Sequence, residues 1–544
     1  MPTRSSSNKS EPIQQPSKLA NLVPELLEII FLEHFRADTL GHTFCRNASP
    51  WVVARVCRRW RQVALATPSL WSIIRIDTGH LLAPKQPLRM LQKYLTRSQP
   101  MRISCLLDLG WDRVKESKGH GRRLNSQIVR ALVAHSRRWC NVEITFMRSG
   151  SSLWPEFKAL NDMPELRFLS LHGDMIGAYS QSEKLRELSG IFSRAPQLRE
   201  AKINTDLPLF NRYFHVDDVA PGTPFLILPW SQLQELTLRE TSPQQLLKVL
   251  SSLVNLEFLD ATVDRYLYNG EFDGQGELNI SHPKLRCLSL TGHDIADFRI
   301  FTSRFVAPAL QDFRISRPSY YSRVQVRNAE SETWPIAPLY AIVADYVEHA
   351  KASLRLIDTD MSAFSTPDFP DVLQGLYSVE QINLRRAGMK DLSTLRNLEQ
   401  GAFPNLKCLR LIFEDDVRMG TGVDFWDWEL LTGLLDMVKT RSGDLKRLSF
   451  CVTRRGKPVE GPIFLSEYCE QLFRQLVELG QGHLDLCGNL VDGKWVSSDM
   501  DDHWTALRKE RRIARFGNTG KMEADHIADW RGEDSESYSD TDSD

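Results

Sequence analysis

The sequence predicts an α/β solenoid: a short N-terminal helical module followed by a long, irregular run of strand-and-helix repeats. Two observations carry this expectation. Residues 22–71 pack proline, leucine and tryptophan into a segment too short to hold an ordinary core by itself. From about residue 160 onward, one pattern of the form L-x-x-L-x-L keeps returning. The chain has 544 residues, long enough for several domains or one continuous array.

The helical module comes first. Val23-Pro24 opens a helix, because proline is tolerated at the first helical position, where its missing N–H has no partner to lose. Leu22, Leu26, Ile29 and Ile30 recur at three- and four-residue steps, and Leu27 and Phe31 widen the stripe. So many large apolar residues within about ten positions imply burial on two sides, one inward and one against a partner. The alternative is a packed cap on a larger domain. A second helix follows Pro50, with Val52, Val56, Trp60 and Val63 expected on one face and Arg55, Arg58, Arg59 and Arg61 largely around the other. These arginines read as a solvated face rather than a nucleic-acid contact. Thr67-Pro68-Ser69-Leu70-Trp71 then makes a turn whose two large side chains pack back.

These residues resemble the F-box, in wording close to the F-box-like proteins of mushroom-forming fungi. The opening L-P-x-E-[LI] appears as Leu22-Val23-Pro24-Glu25-Leu26, with one residue between Leu and Pro. The centre V-C-[RK]-x-W-[RK] appears as Val56-Cys57-Arg58-Arg59-Trp60-Arg61, and the closing P-x-L-W as Pro68-Ser69-Leu70-Trp71. The resemblance covers roughly residues 19–75. It implies a non-catalytic substrate-recognition subunit of a Skp–cullin–F-box ubiquitin ligase. Leu22, Pro24, Glu25, Leu26, Ile29, Val56, Trp60, Leu70 and Trp71 would then form the module core and the surface for a Skp-type adaptor, with a cullin beyond. The stretch Arg36–Ser49 is longer than in compact members of the family. It either loops out or alters adaptor docking.

The repeats come next. Examples run Pro164-Glu165-Leu166-Arg167-Phe168-Leu169-Ser170-Leu171, Leu233–Leu238, Leu256–Ala261, Pro283–Leu290, Pro308–Ile315, Val379–Leu384, Leu406–Leu411 and Leu445–Phe450. Most steps fall between 23 and 39 residues, and one gap of 69 has room for a degenerate copy at Ser353-Leu354-Arg355-Leu356. Period and core match the leucine-rich repeat, though without its asparagine ladder. Each final L-x-L alternates as a half-buried strand does, so Leu236, Leu238, Leu288, Leu290, Leu409 and Leu411 are expected inside. Ser242–Leu253 and Phe425–Lys439 read as helices. One strand and one helix cannot bury their apolar face alone, so neighbours must stack. The alternative is an ordinary doubly wound sheet, although no glycine-rich phosphate loop follows a strand. Earlier strands are expected at Met101–Leu106 and Cys140–Ile144. The expected divisions are a disordered start (1–18), the helical module (19–75), the repeats (76–490) and a terminal helix with an acidic tail (491–544).

Chemistry is sought next. No G-x-S-x-G, P-loop, H-E-x-x-H or kinase signature occurs, and the 13 histidines do not cluster at metal-ligand spacing. No catalytic residue, metal or cofactor is expected. Hydrophobic residues make up 42% and charged residues 25%, with a net charge of -1, so bulk attraction to nucleic acid or anionic membrane is not expected. Nine scattered cysteines without C-x-x-C spacing point to reduced thiols, and thus to the cytoplasm or nucleus. The tail carries a basic run, Arg508–Arg512, then an acidic end with Ser539, Thr541 and Ser543 before aspartates.

An unknown target protein is expected on the repeats. Arg385, Arg410 and Arg447, with Gln381, Asn383 and Ser449, are read as a stack on successive late strands that receives an acidic or phosphorylated segment. The alternative pairs each arginine with a loop carboxylate. Early strands mix charges instead, as in Glu200 with Lys202, Glu235 with Arg239 and Asp312 with Arg314. Two rival functions stay open: a scaffold outside any ligase, and a small-molecule-sensing F-box receptor.

Overall fold

The computed structural model describes residues 22–37, 43–77 (except 46), 86–109, 120–146, 153–173 (except 161), 190–205, 226–263, 280–316 (except 293 and 294), 350, 353–360, 376–385, 403–415, 428–454 (except 442, 443) and pieces between 457 and 496. The expected start at 1–18, the basic run and the acidic tail lie outside the described residues.

Four helices open the chain: α1 (Pro24–Ala37), α2 (Val53–Val56), α3 (Arg58–Ala66) and, after one strand, α4 (Pro87–Arg97). Pro24 and Pro87 stand in the first helical turns, where a missing N–H costs nothing. The single second helix expected from the sequence is broken. Cys57 is extended at φ -154 and ψ 172, and its Sγ accepts the Trp60 N–H at 3.4 Å, ending α2 and capping α3. A single 3-10 turn, Pro68–Trp71, leads into the first strand.

The strands are β1 (Ile73–Asp77), β2 (Ile103–Leu109), β3 (Trp139–Phe146), β4 (Phe168–Gly173), β5 (Glu200–Thr205), β6 (Glu235–Thr241), β7 (Phe258–Val263), β8 (Ile280–Ser281), β9 (Cys287–Gly292), β10 (Phe305–Val306), β11 (Asp312–Ser316), β12 (Leu356–Asp360), β13 (Gln381–Arg385), β14 (Cys408–Asp415) and β15 (Arg447–Arg454). Among the described residues, β8 and β10 pair apart. The other strands named here join one 15-stranded sheet, completed by two short strands beyond β15. From β1 to β15 they lie parallel and in chain order.

The register draws rows across this sheet. Leu236, Leu259, Leu288, Phe313, Ile357, Ile382, Leu409 and Leu448 align in one row, all fully buried. Two residues on, Leu238, Ala261, Leu290 and Ile315 form a second buried row, which Leu384, Leu411 and Phe450 continue on β13–β15. Alternation within each strand sends both rows to one face. Helices Pro243–Leu250 and Trp428–Thr440 form where the apolar spacing placed them. Ser242 caps the first: its hydroxyl accepts the Gln245 N–H at 3.2 Å.

The expected fold class is corrected here. The structure is one α/β body with a large parallel sheet and few helices, not a separate helical module followed by an irregular leucine-rich-repeat horseshoe. Among the described residues, one large hydrophobic core runs from Leu27 of α1 to Leu476, and a small separate cluster joins Leu106 to Phe168. The helices are too small to bury their own aromatic residues, so they share them. Trp71 stands 5.1 Å from Trp51 and 5.0 Å from Tyr94 of α4, ring centre to ring centre, and the Arg97 guanidinium lies 4.4 Å over Trp71. Thr43, in the long stretch before α2, meets the first strand. The Thr43 N–H donates to the Arg75 carbonyl at 2.9 Å, and the Arg75 N–H donates to Thr43 Oγ1 at 2.8 Å, so Thr43 lies against the outer edge of β1.

Candidate docking surface

α1 divides its apolar residues between two faces. Leu27, Phe31 and Phe35 are buried against α3 and the 3-10 turn, with the Phe31 ring 5.0 Å from that of Trp60. Val23, Leu26, Ile29 and Ile30 stand away from that packed side, 42–56% exposed. Their spacing of three, three and one residues keeps them on one side of a 3.6-residue helix. Val56 is 57% exposed, and Arg59, three residues on, donates to the Leu22 carbonyl next to the start of α1.

The structure thus sorts the residues named from the sequence. Leu70 and Trp71 are wholly buried, the Trp71 indole N–H donating to the Ala64 carbonyl at 2.8 Å. Trp60 and Leu22 are half-buried and pack on the core. Pro24 and Glu25 are exposed at the first turn of α1, and Leu26, Ile29 and Val56 face outward. Sequence reasoning put Val56 on one face with Trp60; the break at Cys57 turns it out. Ile30 was read only as part of the stripe; four residues after Leu26, it shares that residue's outward side.

The second group of residues lies on the other face of the sheet. Here the stacked arrangement is corrected: Arg447, Arg410 and Arg385 fall in three different rows. Arg447 aligns with Cys408 and Gln381, Arg410 with Asn383 and Asp358, and Arg385 with Ile412 and Asp360. Each sits at a different position along its own strand, so no column of three cations forms. Asp358, fully buried, accepts from Arg385 Nε at 2.6 Å and from a terminal nitrogen at 2.9 Å, and Arg314 lies 3.9 Å away. The partner carboxylate comes from a strand, not a loop. Arg410 is buried and Arg447 exposed. An analogous fork joins Arg239 to buried Asp260, at 3.3 and 2.9 Å, and reaches Thr262 at 2.9 Å.

Ionisation elsewhere follows burial. Desolvation pushes the Cys105 thiol far up, and to a lesser degree that of Cys140, so neither is a ready thiolate. Cys45, Cys57, Cys105, Cys140, Cys287 and Cys408 form no disulfide. Among the described residues no group of three or more metal-ligating side chains gathers, and no helix is long and apolar enough to cross a membrane. Compared with known proteins, the chain matches no family model, and no curated protein matches it.

Proposed function

We propose that this chain is a substrate-recognition subunit of a Skp–cullin–F-box ubiquitin ligase that docks a Skp-type adaptor through the outward face of α1. One observation supports it above the rest: Val23, Leu26, Ile29 and Ile30 are large, apolar, exposed and on one side of α1, with Val56 exposed too, in a segment whose wording resembles the F-box. Covering the exposed half of each such side chain is worth roughly 0.8–1.5 kcal/mol, and a cluster of this kind marks a protein contact. The chain itself would break no bond. It would hold a target near a charged conjugating enzyme and raise the effective concentration of the two.

The test is co-purification of the full chain with a Skp-type adaptor. Leu26→Glu with Ile29→Glu is expected to abolish capture while leaving the melting temperature in place, because both side chains already meet water. Val254→Glu, at another exposed apolar position, is expected to bind normally. Undiminished capture by the double variant would refute the proposal. The scaffold reading draws on a different fact, the packing of this segment along β1, but it leaves the outward apolar face without a purpose.

A further inference from the structure

From β4 to β15, the residue immediately before each strand of the large sheet forms its own row at the entry edge. The Arg355 N–H donates to the Gln311 carbonyl at 2.7 Å, Glu380 to Arg355 at 2.9 Å, Lys407 to Glu380 at 2.9 Å and Lys446 to Lys407 at 2.7 Å. The backbone under this row is therefore held in place, and its side chains project from a fixed base. Over it lies an open cavity of about 600 Å³ lined by Gln311, Arg355, Glu380, Lys407, Tyr377 and Asn405, among others.

The charges in this cavity do not cancel. Lys407 pairs with Glu380 at 3.0 Å. The exposed Arg355 guanidinium has no hydrogen-bond or ion-pair partner among the described residues, and the Gln311 amide has none either. Asn405 spends its NH₂ on the Tyr377 carbonyl, which fixes a tyrosine that is 65% exposed at the rim. One forked cation, one amide able to donate and accept, and one exposed aromatic ring converge on one opening.

We propose that this cavity binds a carboxylate side chain carried by an extended peptide. The Arg355 fork would take the carboxylate in paired hydrogen bonds. The Gln311 amide would bond the adjoining peptide group, and the Tyr377 ring would cover a neighbouring side chain. A single uncompensated cation matches a single anionic charge. A polyphosphate chain would place a second charge against Glu380, and like charges across an interface are costly. The inference is independent of the α1 surface and stands or falls apart from it.

The test uses full-length protein and immobilised heptapeptide pools whose central residue is aspartate, asparagine or phosphoserine, with the other positions randomised. Wild type is expected to retain the aspartate pool about tenfold over the asparagine pool, the scale of a charge-assisted hydrogen bond. Arg355→Gln should erase that preference without lowering the melting temperature. Arg167→Gln, an exposed cation earlier in the same row, should keep it. Should Arg355→Gln unfold, Arg355→Lys, which keeps charge and loses the fork, must weaken the preference. Equal retention of the aspartate and asparagine pools, an unchanged preference in Arg355→Gln, equal loss in Arg167→Gln, or stronger retention of phosphoserine would each overturn the proposal.

Discussion

Asp358 and Arg385 sit on neighbouring strands two residues out of register, and the Arg385 fork spans that offset to the fully buried carboxylate. Removing one partner of such a pair leaves the other charged and desolvated. Asp358→Ala is expected to cost about 3–5 kcal/mol, read as a lower urea midpoint. Adding Arg385→Ala should recover part of the loss, since the two residues couple directly.

The two faces of α1 predict opposite outcomes for adjacent leucines. Leu27→Ala opens space in the core and should cost about 2–5 kcal/mol. Leu26→Ala should change stability by no more than about 0.5 kcal/mol. Denaturation of the two variants side by side checks the division, and comparable losses would contradict it.

Gly292 ends β9 under the ring of Phe298. A Cβ there would lie 2.8 Å from Phe298 Cζ and 3.2 Å from both Cε atoms, and the ring is fully buried. Gly292→Ala should therefore overpack the site at about 1–3 kcal/mol. In the Phe298→Leu background the same change should cost less, because the clashing ring is gone.

His282 is buried, and desolvation holds its imidazolium below the ordinary value near 6.5; a ring-nitrogen bond with the Leu250 carbonyl, 3.0 Å away, opposes this in part. Because the folded value lies below the unfolded one, the stability it contributes is complete above about pH 6.5 and is lost as pH falls through the folded value. His135 shifts the same way, by burial and by Arg138. The urea midpoint should drop from about pH 7.5 to about pH 5.5, and less steeply in His282→Gln, with His135 keeping the slope from vanishing. An equal slope in the variant would exclude His282 as a contributor.

How far the sequence could be read depended on which direction each feature runs. Leu236, Leu238, Leu288 and Leu409 were legible as interior because alternation along one strand is a local property. The rows that set Arg385, Arg410 and Arg447 apart were not legible, because register is settled by hydrogen bonds between strands separated by connections of uneven length. Asp358 escaped notice for a related reason: the pattern at Ser353–Leu356 marks only where β12 begins, and the carboxylate lies beyond it. The Arg355 cavity is invisible in the sequence because its lining residues come from four segments. At the N-terminus, the wording from Leu22 to Trp71 showed which residues matter. It could not show that the helices share one core with the sheet, since that follows from the meeting of Trp71 with Tyr94 across a strand.

The two hydrogen bonds between Thr43 and Arg75 carry a consequence for how this protein can be handled by any partner. A strand edge whose N–H and C=O groups lie bare is a template for another chain, and aggregation follows. Thr43 occupies part of that template on β1, and so ties the solubility of the whole sheet to the N-terminal segment staying in place. A partner that gripped α1 from outside would leave this guard standing. One that peeled the segment away, or a truncation that removed it, would expose the edge and seed edge-to-edge association.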